Sequence, residues 1–143
     1  MKIVIASDHG GLRLKKELVE HLTKGGHTVE DIGTHTDASC DYPDFAHAVA
    51  KSVAAGKSER GILVCGTGVG MSIAANRHAG VRAVVCSDTY TAKLSRSHND
   101  ANILCIGERV VGSGLAWEIV SAWVTEPAST EGRHSGRRAK IEI

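Results

Sequence analysis

Aromatic residues are scarce in this chain, with two Trp, two Tyr and one Phe in 143 residues. A β-sandwich or barrel ordinarily carries more aromatics and strand formers, so the composition leans towards an α/β fold built on Ala, Val, Ile and Gly. No run approaches the roughly 18 apolar residues that a membrane-spanning helix needs. The opening Met1-Lys2-Ile3-Val4-Ile5-Ala6 passes directly into Ser7-Asp8-His9, without the apolar core or cleavage pattern of a signal peptide. Charge of one sign is missing too. Seventeen Lys+Arg stand against sixteen Asp+Glu, a net charge of +1, which gives no global field for gathering nucleic acid or an anionic membrane.

Cysteine pairing motifs are also absent. Cys40, Cys65, Cys86 and Cys105 form no C-x-x-C and no dense framework. Free thiols in a cytoplasmic protein are the reading, and a thiol redox role is disfavoured. The histidines show no H-x-H or H-E-x-x-H spacing, so no metal is expected. His21, His27, His35, His47 and His78 read as surface or packing residues. Hydrophobic residues at 42% and charged residues at 23% exclude a disordered chain, and the length suits one domain, 1–143, ending in a basic tail at 127–143.

Sixteen glycines remain, set among alternating strand and helix patterns. Ile3 to Ala6 is a short apolar run, as a strand buried on both faces requires. Leu14, Leu18 and Leu22, with Val19, form a helical stripe that Gly25-Gly26 ends. A strand over His27–Asp31 and a polar loop over Gly33–Asp41 follow. Pro43 then opens a helix with Phe45, Val49 and Val53 in step. Gly61 to Cys65, Val81 to Cys86 and Asn102 to Ile106 are further strands. Ser87-Asp88 and Ser113 are candidate helix caps. The spacing of Leu115, Ile119 and Trp123 predicts a long helix that Pro127 stops. About five strands alternating with helices predict a parallel sheet covered on both faces, with ligands beyond the carboxyl ends of its strands.

The sharpest chemical feature is Cys65-Gly66-Thr67-Gly68-Val69-Gly70-Met71. Alternating glycines between a strand and a helix let the backbone approach a ligand, and the helix N-terminus adds partial positive charge. Met71 stands where a third glycine would complete a dinucleotide fingerprint, and no Gly-Lys-Ser/Thr follows, so neither nucleotide motif is present. Amides that cradle an anion also stabilise a thiolate, so Cys65 is expected to have its pKa drawn from about 8.5 towards neutrality. Such a thiol can act as base or nucleophile. Cys86 and Cys105 lack a cradle and read as packing residues. Asp8-His9 after the first strand and His98-Asn99-Asp100 before the fifth suit binding or proton transfer. In the tail, Arg133 and Arg137 share one face if the segment is helical, an arrangement that suits phosphate.

These motifs, with Asp41-Tyr42-Pro43-Asp44, Ala74-Ala75-Asn76-Arg77 and Gly107-Glu108-Arg109-Val110-Val111-Gly112, run in order along nearly the whole chain. The chain resembles the type B ribose-5-phosphate isomerases, in the wider ribose/galactose isomerase family. The resemblance implies a single Rossmann-like three-layer α/β domain with a parallel sheet of about five strands. It implies interconversion of ribose 5-phosphate and ribulose 5-phosphate through an enediolate in the pentose phosphate pathway, with no metal or other cofactor. On this resemblance Cys65 moves the proton between sugar carbons, and His98 is the acid/base of ring opening. Gly66, Thr67, Gly68, Val69 and Gly70 hold the enediolate oxygen. Asp8, His9, Tyr42 and Asn99 contact the sugar. Arg109, Arg133 and Arg137 grip the phosphate, with His134 beside them as a further phosphate contact. The resemblance also implies a homodimer or dimer of dimers whose sites form between subunits. Two alternatives stay open at this level: a hexose 6-phosphate as substrate, and a non-catalytic module that binds a phosphorylated metabolite and would not need Cys65 or His98.

Overall fold

The computed structural model describes residues 1–142. Five strands form one parallel sheet in the order β2-β1-β3-β5-β4. The strands are β1 (Lys2–Ser7), β2 (Thr28–Asp31), β3 (Arg60–Cys65), β4 (Ala83–Val85) and β5 (Ile103–Gly107). The helices are α1 (Leu12–Lys24), α2 (Tyr42–Ala54), α3 (Val69–Ala75), α4 (Thr89–Ser97), α5 (Ser113–Thr125) and α6 (Gly132–Ala139). The three-layer architecture read from the sequence is therefore present. The fourth strand is shorter than Val81–Cys86, because β4 is an edge strand paired only with β5.

Alternation along the central strands builds two cores. Ile3, Ile5, Ile62, Val64, Leu104 and Ile106 point to one face, where α1, α4 and α5 cover them. Val4, Ala6, Leu63, Cys65, Ile103 and Cys105 point to the other, under α2 and α3. Period-two side chains on strands buried from both sides require this division. Leu14, Leu18 and Leu22 are buried as their spacing predicts. In α5 the buried stripe is Ala116, Ile119, Val120 and Trp123, while Leu115 faces outward.

One expectation at a helix end is corrected. Gly112, not Ser113, caps α5, and the Ser113 hydroxyl instead accepts a bond of 3.1 Å from Arg13. The basic tail after Pro127 carries α6, with only His134 buried. Asp88 caps α4 as expected, its carboxylate accepting from the Thr91 amide at 2.7 Å.

The sheet order reverses direction between β1 and β3. The chain passes from β1 outward to β2, then crosses to β3 on the far side. Such a switch leaves a crevice at the carboxyl ends of the two strands, where Asp8 and Cys65 emerge.

Candidate active site

Three strand ends converge on this crevice. Asp8, nearly buried, accepts a bond of 2.9 Å from the Gly10 amide. A β-carbon on Gly10 would lie 3.5 Å from the Gly66 amide nitrogen and 3.8 Å from the Arg109 guanidinium. One on Gly66 would lie 3.4 Å from the same guanidinium. The loops after β1, β3 and β5 therefore touch, and exposed Arg109 lies across the other two. Backbone bonds from Glu108 to Cys65 and from Arg109 to Gly66 clamp the β5 loop to the glycine loop.

Cys65 is 6% exposed, and its sulfur accepts a bond of 3.0 Å from the Gly68 amide. An N–H donor on sulfur is the interaction a thiolate uses. Gly68 reaches that position through a left-handed backbone, φ 81°, which a side chain would strain. The two other strand thiols differ. Burial pushes Cys86 up, and full burial beside Cys65 and Cys86 pushes Cys105 well above the ordinary thiol range. Those two stay protonated and belong to the packing, as expected.

Tyr42, the first residue of α2, lies against the glycine loop: a β-carbon on Gly70 would stand 2.7 Å from its ring. His9 is exposed, and its Nδ1 accepts from the Cys40 amide at 3.3 Å, which puts the ring proton of the neutral form on Nε2. Cys40, in the polar loop before α2, thus orients His9. Asp8, His9, Tyr42, Cys65 to Gly70 and Arg109 form one cluster.

His98, Asn99, Arg133, His134 and Arg137 form a second cluster elsewhere. Helix α4 starts beyond the carboxyl end of β4 and runs back, so His98 at its C-cap lies at the amino edge of the sheet. Helix α6 packs there. Its His134 ring stacks on His98 at 4.2 Å and 11°, and Arg138 bonds the His98 carbonyl at 3.3 Å. Burial, then neighbouring His98 and Arg133, hold His134 below the ordinary imidazole range. With six residues in β3, the two clusters stand roughly 20 Å apart within one chain. Sequence order gave no sign of this separation.

The sequence reading placed Asp100 beside His98 and Asn99 but missed its anchoring role. It adopts a left-handed backbone, φ 49°, and its carboxylate accepts from Arg96 at 2.7 Å and Arg82 at 3.2 Å. Arg82 also bonds the Asn99 and Asp100 carbonyls at 3.1 Å. This network fixes the turn that carries His98 and Asn99. The Asn-Asp pair before a strand was the available signal, since these residue types tolerate that backbone.

The sequence pattern of the Ribose/Galactose Isomerase family matches residues 3–141. The chain belongs to this family. Ribose-5-phosphate isomerase B of Escherichia coli (strain K12) is 54% identical over 137 residues, covering 95% of this chain and 91% of that protein. Ribose-5-phosphate isomerase B of Clostridium thermocellum superposes with a TM-score of 0.96 at 54% identity, covering 99% of this chain and 95% of that one. The Mycoplasma genitalium enzyme, solved with bound ribulose-5-phosphate, gives 0.93 at 44% identity, covering 98% and 93%. Family membership rests on nearly the whole length, so it embraces both clusters, α6 included.

Proposed function

We propose that this chain is a metal-independent aldose–ketose isomerase that interconverts ribose 5-phosphate and ribulose 5-phosphate through an enediolate. The observation that carries this reading is the Cys65–Gly70 loop: a nearly buried sulfur, held by the Gly68 amide, at the topological switch point beside Arg109. Cys65 removes the proton alpha to the carbonyl and returns it to the neighbouring carbon. The free amides of the loop face the oxygen on which charge develops, a contribution of about 10²–10³ in rate per donor. Asp8, His9 and Tyr42 hold the sugar. Arg109 is exposed and has no ion pair among the described residues, so its guanidinium is free for phosphate, whose binding orients the reacting carbons.

A complete site requires a second copy, because His98, Asn99, Arg133 and Arg137 sit at the opposite edge of the sheet. In the assembly, His98 of the partner subunit opens the furanose ring over Cys65, and Asn99 contacts the sugar. Arg133 and Arg137, with His134, complete the phosphate grip. Exposed apolar side chains stand at Tyr42, Val69 and Val110 on the loops and helix starts of the crevice and at Ile73, Val85 and Tyr90 on α3, β4 and α4, a surface that supports burial against another copy. Residues 1–143 act as one domain in this arrangement. The cytoplasm is its compartment, a reading supported by four unpaired cysteines. No helix among the described residues is long and apolar enough to cross a membrane.

Mixing two inactive variants tests the composite site. Cys65→Ala and His98→Asn chains, unfolded together and refolded, should regain roughly a quarter of wild-type turnover on cyclic ribose 5-phosphate, because each heterodimer holds one intact site. No gain above the separate variants would place both residues in one chain's site and refute the arrangement. Wild-type turnover unchanged by EDTA is expected, and absence of turnover on ribose 5-phosphate would refute the function itself.

A further inference from the structure

Helix α2 carries Tyr42 at its start, but its later turns border a different hollow. This depression, about 640 Å³, is lined by Asp44, His47, Ala48, Lys51, Arg77 and His78. Its lining begins at Asp44, but Lys51 is nine residues along the helix from Tyr42, roughly 13 Å away, so the cationic end of the hollow lies apart from the candidate active site. Its volume falls within the range of small-molecule sites.

Two features of the lining point to an anion. Neither Lys51 nor Arg77 enters an ion pair among the described residues, and Asp44 is the one acidic side chain of the lining. Glu142 borders an adjoining hollow that shares Arg77 and His78, but it is paired with Arg82 at 3.0 Å. With two cations against one free carboxylate, the concavity carries a net positive field. The second feature is a histidine pair bridging α2 and the turn after α3. His47 Nδ1 lies 2.8 Å from His78 Nε2, with the half-buried rings meeting edge-on at 63°.

The pair has a definite proton inventory. When neutral, one proton lies between the facing nitrogens and one outer nitrogen carries N–H, leaving the other outer nitrogen a lone pair. One added proton keeps the central bond, turns both outer nitrogens into donors and adds a positive charge. The protein alone disfavours that proton: burial, His47 and Lys51 hold His78 below the ordinary imidazole range. A seated anion offsets these penalties. Its binding is then linked to uptake of a proton.

We propose that this hollow is a second binding site, for a small phosphate-bearing dianion gripped by Lys51, Arg77 and the outward N–H groups of the protonated His47–His78 pair. Arg77 supplies the planar fork that matches phosphate oxygens, and Lys51 supplies a point charge from the facing helix. The same two cations disfavour a metal ion between the imidazoles.

The test follows the imidazole C–H signals of the full-length protein by NMR, assigned with His47→Gln and His78→Gln. Pyrophosphate at pH 6.5 should shift both rings saturably. The double variant Lys51→Ala/Arg77→Ala should weaken this binding at least tenfold while isomerase turnover stays unchanged. Sulfate, a dianion that does not titrate in this range, should bind progressively more weakly from pH 6 to 8, approaching tenfold per pH unit. Rings that do not respond to pyrophosphate, or respond equally in the double variant, would overturn the site. Sulfate affinity flat with pH would overturn the role of the pair.

Discussion

Replacing Gly70 by Ala tests whether the glycine loop is shaped for Tyr42 rather than for its own folding. Gly70 lies in the first turn of α3, and its φ is not among the left-handed ones, so the backbone accepts alanine without strain. Helix propensity favours the change by up to about 1 kcal/mol. The new methyl, however, would stand 2.7 Å from the Tyr42 ring. Carbon atoms settle at about 3.5–4.0 Å, so the ring must recede by roughly 1 Å. Tyr42 is 40% exposed and can move outward at little cost. The expected result is a melting temperature close to wild type with a large loss of kcat/KM on ribose 5-phosphate. A misplacement of about 1 Å costs up to about 10²-fold. A double-mutant cycle isolates the cause: in a Tyr42→Ala background, Gly70→Ala should add little further loss. Activity within twofold of wild type in Gly70→Ala would refute the reasoning, as would fully additive losses in the cycle.

Cys65→Ser should lower kcat by about 10²–10⁴, the usual worth of a positioned base, while ribulose 5-phosphate binding by calorimetry persists. His98→Asn should be impaired on cyclic ribose 5-phosphate and nearly normal on a sugar phosphate too short to close its ring, and equal loss on both would remove the ring-opening role. Ile73→Asp places a charge on a side chain that is 63% exposed, and sedimentation should show a monomer without activity, since each site then lacks the partner's residues. His78 and His134 both lie below the ordinary imidazole pKa of 6.5 through burial and neighbouring cations. The unfolded chain therefore binds more protons below that value, so stability is full above about pH 6.5 and falls on acidification through the lower native pKa values. Urea midpoints from pH 7.5 to 5 should show this slope, and His78→Gln should flatten part of it.

Much of the layout was legible because its causes are local. Strand runs such as Ile3–Ala6 and the four-residue spacing of Leu14, Leu18 and Leu22 are buried where periodicity places them. Local signals failed where two residues competed for one task. Ser113 was the better cap by type, yet its hydroxyl serves Arg13 and Gly112 caps the helix. The tail read only as a basic segment suited to phosphate, although the buried ring of His134 stacks on His98 thirty-six positions earlier.

The sequence by itself determined the parallel sheet and the glycine loop with its thiol, because strand periodicity and the steric freedom of glycine act between near neighbours. Only the tertiary structure decided where the second half of the machinery lies. The crossover through α4 must return to the amino edge before β5 can run parallel, and it takes His98 with it. The same reason hid the His47–His78 bond: the two rings meet through the packing of α2 on α3, a contact that no spacing along the chain encodes.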